Sequence, residues 1–201
     1  METPTLSERT LSLAQQQGTL RTSDLTAAGI PRVVLTRLSQ SGQLEKIGRG
    51  LYRLPNASFS EHDGMTRVAL KAPQAVFCLL SALQFHELTT QLPREQWIAL
   101  PRGIQPPKIQ YPPIKRIQYT DKAYSEGIET HVIDQIPIHI YSVAKTIADC
   151  FKFRNKIGID VALEALKQAR QETKVSTSEL WHYAKVCRVT NVMRPYLEAT
   201  E

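Results

Sequence analysis

The chain has 201 residues, 42% hydrophobic and 22% charged, a composition that fits a folded globular protein and excludes bulk disorder. Its net charge of +6 suits a polyanionic partner, and the excess is densest at the start: residues 1–57 hold seven Lys and Arg against four Asp and Glu, the remainder eighteen against fifteen. Three widely spaced cysteines without a C-x-x-C pair argue against a zinc site or a disulfide framework, and a polar N-terminus with no apolar run near the ~20 residues of a membrane span predicts a cytoplasmic protein with no membrane partner.

In chain order, Thr5-Leu-Ser-Glu8 has the form of a capping box, and Leu6, Leu11, Leu13 and Ala14 follow as the apolar set of a helix that Gly18 ends. Ser23-Asp24 or Thr22 caps a second helix through Ala28. Gly29 supplies the turn, Ile30 plugs the core beneath it, and Pro31 stands where a third helix begins. In that helix, which runs to about Ser41, Val34, Leu35 and Leu38 share one face; Arg32, Val33, Thr36, Arg37 and Gln40 fall largely on the other. Gly42 closes it. Two short strand-like runs, Leu44–Ile47 and Leu51–Leu54, flank Gly48-Arg49-Gly50 and predict a hairpin. The pattern is that of a winged helix-turn-helix, assigned to residues 1–57, with Pro55–Ser58 as a linker.

Residues 58–201 read as a helix-rich α+β domain, so the fold class of the whole is α+β. A helix is expected from about Ser60 to Ala72, a buried strand at Ala75–Cys78, a helix at Ser81–His86 and a short strand at Trp97–Leu100. Gln105–Pro113 has four prolines in nine residues and predicts an extended loop before a strand at Ile114–Tyr119. Glu129–Ile133 and Ile136–Tyr141 form a hairpin whose Ile136, Ile138 and Ile140 face the core, with His139 turned to solvent. Ser142 caps a helix over Val143–Phe153. Asp160–Gln171 is amphipathic, Ser176–Glu179 is a second capping box opening a helix to about Cys187, and a last helix runs through Met193–Leu197, where Pro195 either kinks it or starts it.

The chemistry these residues suggest is DNA recognition. A helix that enters the major groove aims its polar residues at base edges, where Arg bonds guanine bidentately and Thr and Gln suit adenine or thymine. The expected contacts are Arg32, Thr36, Arg37 and Gln40 on the third helix, Lys46, Arg49 and Arg53 on the wing, and Arg21 and Ser23 at the start of the second helix as phosphate contacts. Arg102, Lys108, Lys115 and Arg116, with Tyr111 among them, form either a secondary nucleic-acid or partner surface or a solvated loop. Enzymatic signatures are missing: the five histidines have no metal-binding spacing, and no G-x-S-x-G, P-loop or G-x-G-x-x-G occurs. The expectation is therefore no enzyme, no catalytic residue, no metal and no cofactor. Cys78 and Cys150 lie in apolar surroundings and are expected as buried structural thiols. Lys145 and Asp149 are i, i+4 on one helix, the spacing of a surface ion pair worth a few tenths of a kcal/mol.

Ser81-Ala-Leu83, Trp97–Pro101, Ala144–Phe151 and Arg194-Pro-Tyr-Leu197, with the winged stretch Gly42-x-Leu44 and Gly48-Arg-Gly-x-Tyr52, resemble the AbiEi family of type IV antitoxins over almost the whole chain. The resemblance implies a repressor of its own operon whose winged domain binds inverted repeats in promoter DNA. It also implies a C-terminal domain that counteracts an AbiEii-type nucleotidyltransferase toxin without forming a stable complex, in the setting of phage defence. Two other readings stand beside it. One is a stand-alone, ligand-responsive transcriptional regulator without a toxin partner. The other is a nuclease-like enzyme, for which the sequence offers Asp121, Lys122 and Glu126 without a strong strand beneath them.

Overall fold

The computed structural model describes residues 4–55, 62–119 and 121–198. Helix α1 (Leu6–Gln17) starts at the expected capping box: the Glu8 N–H donates to Thr5 Oγ1 (3.2 Å) and the Thr5 N–H to the Glu8 carboxylate (2.7 Å). Gly18 ends it. There follow β1 (Thr19–Arg21), α2 (Thr22–Ala27), α3 (Val33–Gln40), β2 (Glu45–Gly48) and β3 (Leu51–Arg53). Strands β2 and β3 are the expected hairpin, and β1 completes an antiparallel sheet of order β1-β3-β2. Strand β1 was not anticipated; three residues are too few to show a period, yet its Leu20 is wholly buried.

The core of this part is Ala14, Leu20, Leu25, Ile30, Val34, Leu35, Leu38 and Leu44. The three apolar residues of α3 and the plug at Ile30 are thus where their spacing put them. Burying side chains of this kind stabilises by about 1.5–3 kcal/mol each. The wing turn needs glycine at Gly50, where φ is +70° and an added Cβ would sit 2.9 Å from Thr22 Oγ1.

The second part begins with α4 (Asp63–Lys71), flanked by His62 and Ala72; Ser60 and Glu61 of the expected helix lie outside the described residues, as do positions 56–58 of the expected linker. It continues with β4 (Val76–Phe77), α5 (Leu79–Phe85), β5 (Gln96–Ala99), β6 (Ile114–Ile117), α6 (Asp121–Ser125), β7 (Ile128–Ile133) and β8 (Ile136–Tyr141). Five helices close the chain: α7 (Val143–Lys152), α8 (Arg154–Ile157), α9 (Ile159–Gln171), α10 (Thr177–Val186) and α11 (Thr190–Glu198), with Pro195 inside the last. The sheet is mixed, of order β6-β5-β4-β8-β7. Helix α4 covers one face through Met65, Val68 and Ala69, packed on Phe77, Ile98, Ile138 and Ile140. On the other face α5, α7, α9, α10 and α11 share a larger core with Val76, Trp97, Ala99 and Tyr141.

Helix α7 is the centre of that core. Ser142 caps it as expected, and every residue from Ala144 to Phe151 is buried. Here one expectation is overturned. Lys145 and Asp149 are not a surface pair: both side chains are fully buried, with Nζ donating to Asp149 Oδ2 at 2.5 Å. Helical spacing says which residues share a row; it does not say that the row faces other helices. Lys145 Nζ also lies 4.0 Å from the centre of the Tyr141 ring, and Cys187 Sγ donates to Asp149 Oδ1 at 3.2 Å. Burial pushes the Asp149 carboxyl upward, against the pull of Lys145. Gly127 makes room for the lysine: with φ +78°, an added Cβ would stand 2.8 Å from Lys145 Cβ.

All three cysteines are buried free thiols, as expected for Cys78 and Cys150. Desolvation raises the pKa of each. His139 is half-buried, its Nδ1 3.0 Å from Thr130 Oγ1, and so is only partly turned to solvent. No helix among the described residues is long and apolar enough to cross a membrane.

Candidate nucleic-acid interface

Helix α3 owes its orientation to Val34, Leu35 and Leu38, which fix one side in the core and leave the other outward. On that outward side Arg32, Thr36 and Gln40 form an i, i+4 row and Arg37 lies beside it; all four are exposed. Val33, expected on the same side but not as a contact, is 52% exposed among them. Its signal was an apolar residue on an otherwise polar face. Arg49 is exposed at the wing tip and Lys46 on β2.

Between Arg21 and Leu54 the two acids, Asp24 and Glu45, are both engaged. The Asp24 carboxylate accepts from the Arg21 backbone N–H at 2.7 Å, and Glu45 pairs with Arg53 at 3.1 Å. Glu45 is thus neutralised by a guanidinium, while Asp24 keeps its charge and directs it to the start of α2.

Arg21, Ser23 and Arg49 line one cleft of about 320 Å³ with Thr22, Gln135 and Pro137. Arg21 donates to the Gln135 carbonyl, and Gln135 Nε2 donates to the Thr19 carbonyl at 3.0 Å. The cleft therefore lies where the wing, the start of α2 and the β7–β8 turn converge. One guanidinium bond to a carbonyl leaves Arg21 further donors for an anion.

Arg53 is placed differently. Its side chain is 12% exposed, and its guanidinium donates to Glu45 (3.1 Å) and to Asp63 at the start of α4 (2.6 Å). Arg67 holds the other Asp63 oxygen at 2.6 Å. Burial opposes the charge of Arg53, and the two carboxylates outweigh it, so its pKa is raised. The residue clamps the wing to α4, beside Ile47 and Leu51, which pack on the α4 side of the second core. Its guanidinium is taken up by this clamp and not by the outward side of the wing. Nothing in the spacing of Arg53 and Asp63 says that the wing and α4 meet.

Lys115 of the second basic stretch pairs with Glu95 at 3.2 Å and stands over the Trp97 ring at 4.2 Å. Among the described residues no group of three or more His, Cys, Asp or Glu is placed to hold a metal ion. Lys122 lies on α6, a helix too short to show a period in the sequence, and Glu126 follows it, 3.4 Å from His182.

Three helices, a three-stranded sheet and an exposed basic wing define the N-terminal part as a winged helix-turn-helix. Residues 8–55 match a family described as transcriptional regulator, AbiEi antitoxin. That agrees with the resemblance drawn from the sequence, over the N-terminal part of the chain. No curated protein matches the chain.

Proposed function

We propose that this protein is a DNA-binding autorepressor and antitoxin of an AbiE-like type IV toxin–antitoxin system. Residues 1–57 serve as the DNA-binding domain and residues 58–201 as the antitoxin domain. It binds inverted repeats in its own promoter and counteracts a nucleotidyltransferase toxin without a stable complex. The observation that carries the DNA-binding half is the outward side of α3, polar and cationic, joined to the exposed Arg49 wing and a matching regulator family.

In this reading Arg32, Thr36, Arg37 and Gln40 face base edges in the major groove, and Val33 offers its methyls to a thymine methyl. Arg49 and Lys46 reach the neighbouring backbone or groove. Arg21 and Ser23 hold a phosphate in the cleft they share with Arg49. The antitoxin half rests on the family description and on the resemblance of Ala144–Phe151, the buried core of α7. That motif supplies packing, so the groups that act on a toxin must lie on the surface built around it.

Growth rescue tests the antitoxin half. The chain is co-expressed with a nucleotidyltransferase encoded beside it. Restored growth supports the reading; no rescue, with promoter binding intact, moves the protein to a plain regulator.

A further inference from the structure

The two edges of the five-stranded sheet differ. Edge strand β6 follows Pro112-Pro113 and carries Lys115 and Arg116, features that discourage pairing with another strand. Edge strand β7, Ile-Glu-Thr-His-Val-Ile, has no proline, lysine, arginine or bulge, and pairs with β8 in unbroken register over all six residues. Among the described residues no strand lies on its other side. Val132 is 70% exposed and Ile128 37%.

The register tells which backbone groups face outward. Val132 stands opposite Pro137, which has no N–H to give. The pairs Val132–Pro137, Thr130–His139 and Ile128–Tyr141 are therefore the non-hydrogen-bonded ones of the antiparallel alternation. It follows that Ile128, Thr130 and Val132 direct their N–H and C=O groups to the open edge.

We infer that β7 is a self-association edge, pairing antiparallel with β7 of a second copy of this chain about a twofold axis at Thr130. This register matches every position. Thr130 meets Thr130 of the second copy, and Ile128 meets Val132, in pairs whose outward backbone groups bond each other. Glu129 meets His131 in the closely spaced non-hydrogen-bonded pairs, which bring a carboxylate acceptor and an imidazole N–H together across the seam. Within one chain Glu129 and His131 already lie on one face, 3.2 Å apart, so two copies gather two carboxylates and two imidazoles. An antiparallel strand that is its own hydrogen-bonding and shape complement fits the isologous contact of a twofold dimer. The result is a continuous ten-stranded sheet, with each β7–β8 turn holding its own winged domain through Gln135.

Sedimentation equilibrium of the full chain without DNA tests this. The expected species has about twice the 22.7 kDa chain mass, and Thr130→Lys, which sets like charges face to face on the axis, sediments as monomer with an unchanged circular dichroism spectrum. Thr130→Cys, oxidised, gives a covalent dimer, since Cα atoms opposed in this way lie about 5.5 Å apart. Val132→Cys does not, because the two copies of residue 132 are offset by about 13 Å along the strand. The three native thiols are buried and do not compete. A wild-type monomer throughout, a dimer that survives Thr130→Lys, or equal cross-linking at both positions would overturn the inference. DNA binding is read separately and can stand if it fails.

Discussion

Replacing Lys145 with methionine keeps most of the side-chain volume of α7 and removes one charge from its core. Asp149 is then left fully buried without its cation, with Cys187 Sγ still donating to it at 3.2 Å. Breaking one side of a buried ion pair costs about 3–5 kcal/mol, because the surviving charge has lost its partner and cannot reach water. For a chain of 201 residues a kcal/mol moves the melting temperature by about 2–4 °C. The expected fall is therefore on the order of 6–20 °C. The double replacement Lys145→Met with Asp149→Leu should recover most of it, since burial already works against the Asp149 charge more than Lys145 relieves it. Urea denaturation of the wild type, both single variants and the double variant measures this cycle. A loss below about 1 kcal/mol in the single variant, or a double variant no better than the single, would refute the reasoning that the pair matters through desolvation.

Three further outcomes follow from other sites. Asp63→Ala removes the acceptor shared by Arg53 and Arg67; it should cost about 1–3 kcal/mol and speed hydrogen exchange in β3, and an unchanged exchange rate would show that the wing is not held there. Burial holds the His86 imidazole below its ordinary pKa, outweighing the bond between its Nε2 and the Tyr141 carbonyl at 2.8 Å. The unfolded chain therefore takes up a proton near its ordinary value of about 6.5 before the folded chain does, and this contribution to stability is lost as pH falls below that value. His86→Gln should flatten denaturation midpoints in that window; the same slope in both proteins would assign it elsewhere. Ser176→Ala removes the hydroxyl that caps α10 and holds the Glu179 carboxyl below its usual range, and should cost about 0.5–2 kcal/mol by thermal melting. No change would mean that the box contributes nothing in the whole protein.

Local chemistry made the winged part legible. Gly29, Gly42 and Gly48–Gly50 punctuate it, and Val34, Leu35 and Leu38 repeat at the helical period, so three helices and a hairpin could be placed before any contact was known. Strand β1 escaped because its pairing with β3 is decided by a partner more than thirty residues away. The second part was legible where alternation is strict, as in Ile136, Ile138 and Ile140, and where caps are explicit, as at Ser142 and Ser176. The burial of Lys145 and Asp149 is not legible, because a charged i, i+4 pair on the surface and one in a core have the same spelling. Of the candidate site, the outward row of α3 followed from periodicity alone. The employment of Arg53 by Asp63 did not, since a tertiary contact between wing and α4 decides it.

The central claim is that α3 and the wing bind the DNA upstream of the gene. Fluorescence anisotropy with that DNA, for the wild type, Arg37→Ala and Arg49→Ala, over a range of salt, tests it most directly. Specific binding by the wild type is expected, weakened in both variants. A side chain that neutralises a phosphate should flatten the salt dependence by about one unit when removed, and one that reads a base should relax discrimination at its position by about 1–3 kcal/mol. Wild-type affinity and wild-type salt slope in both variants would contradict the account.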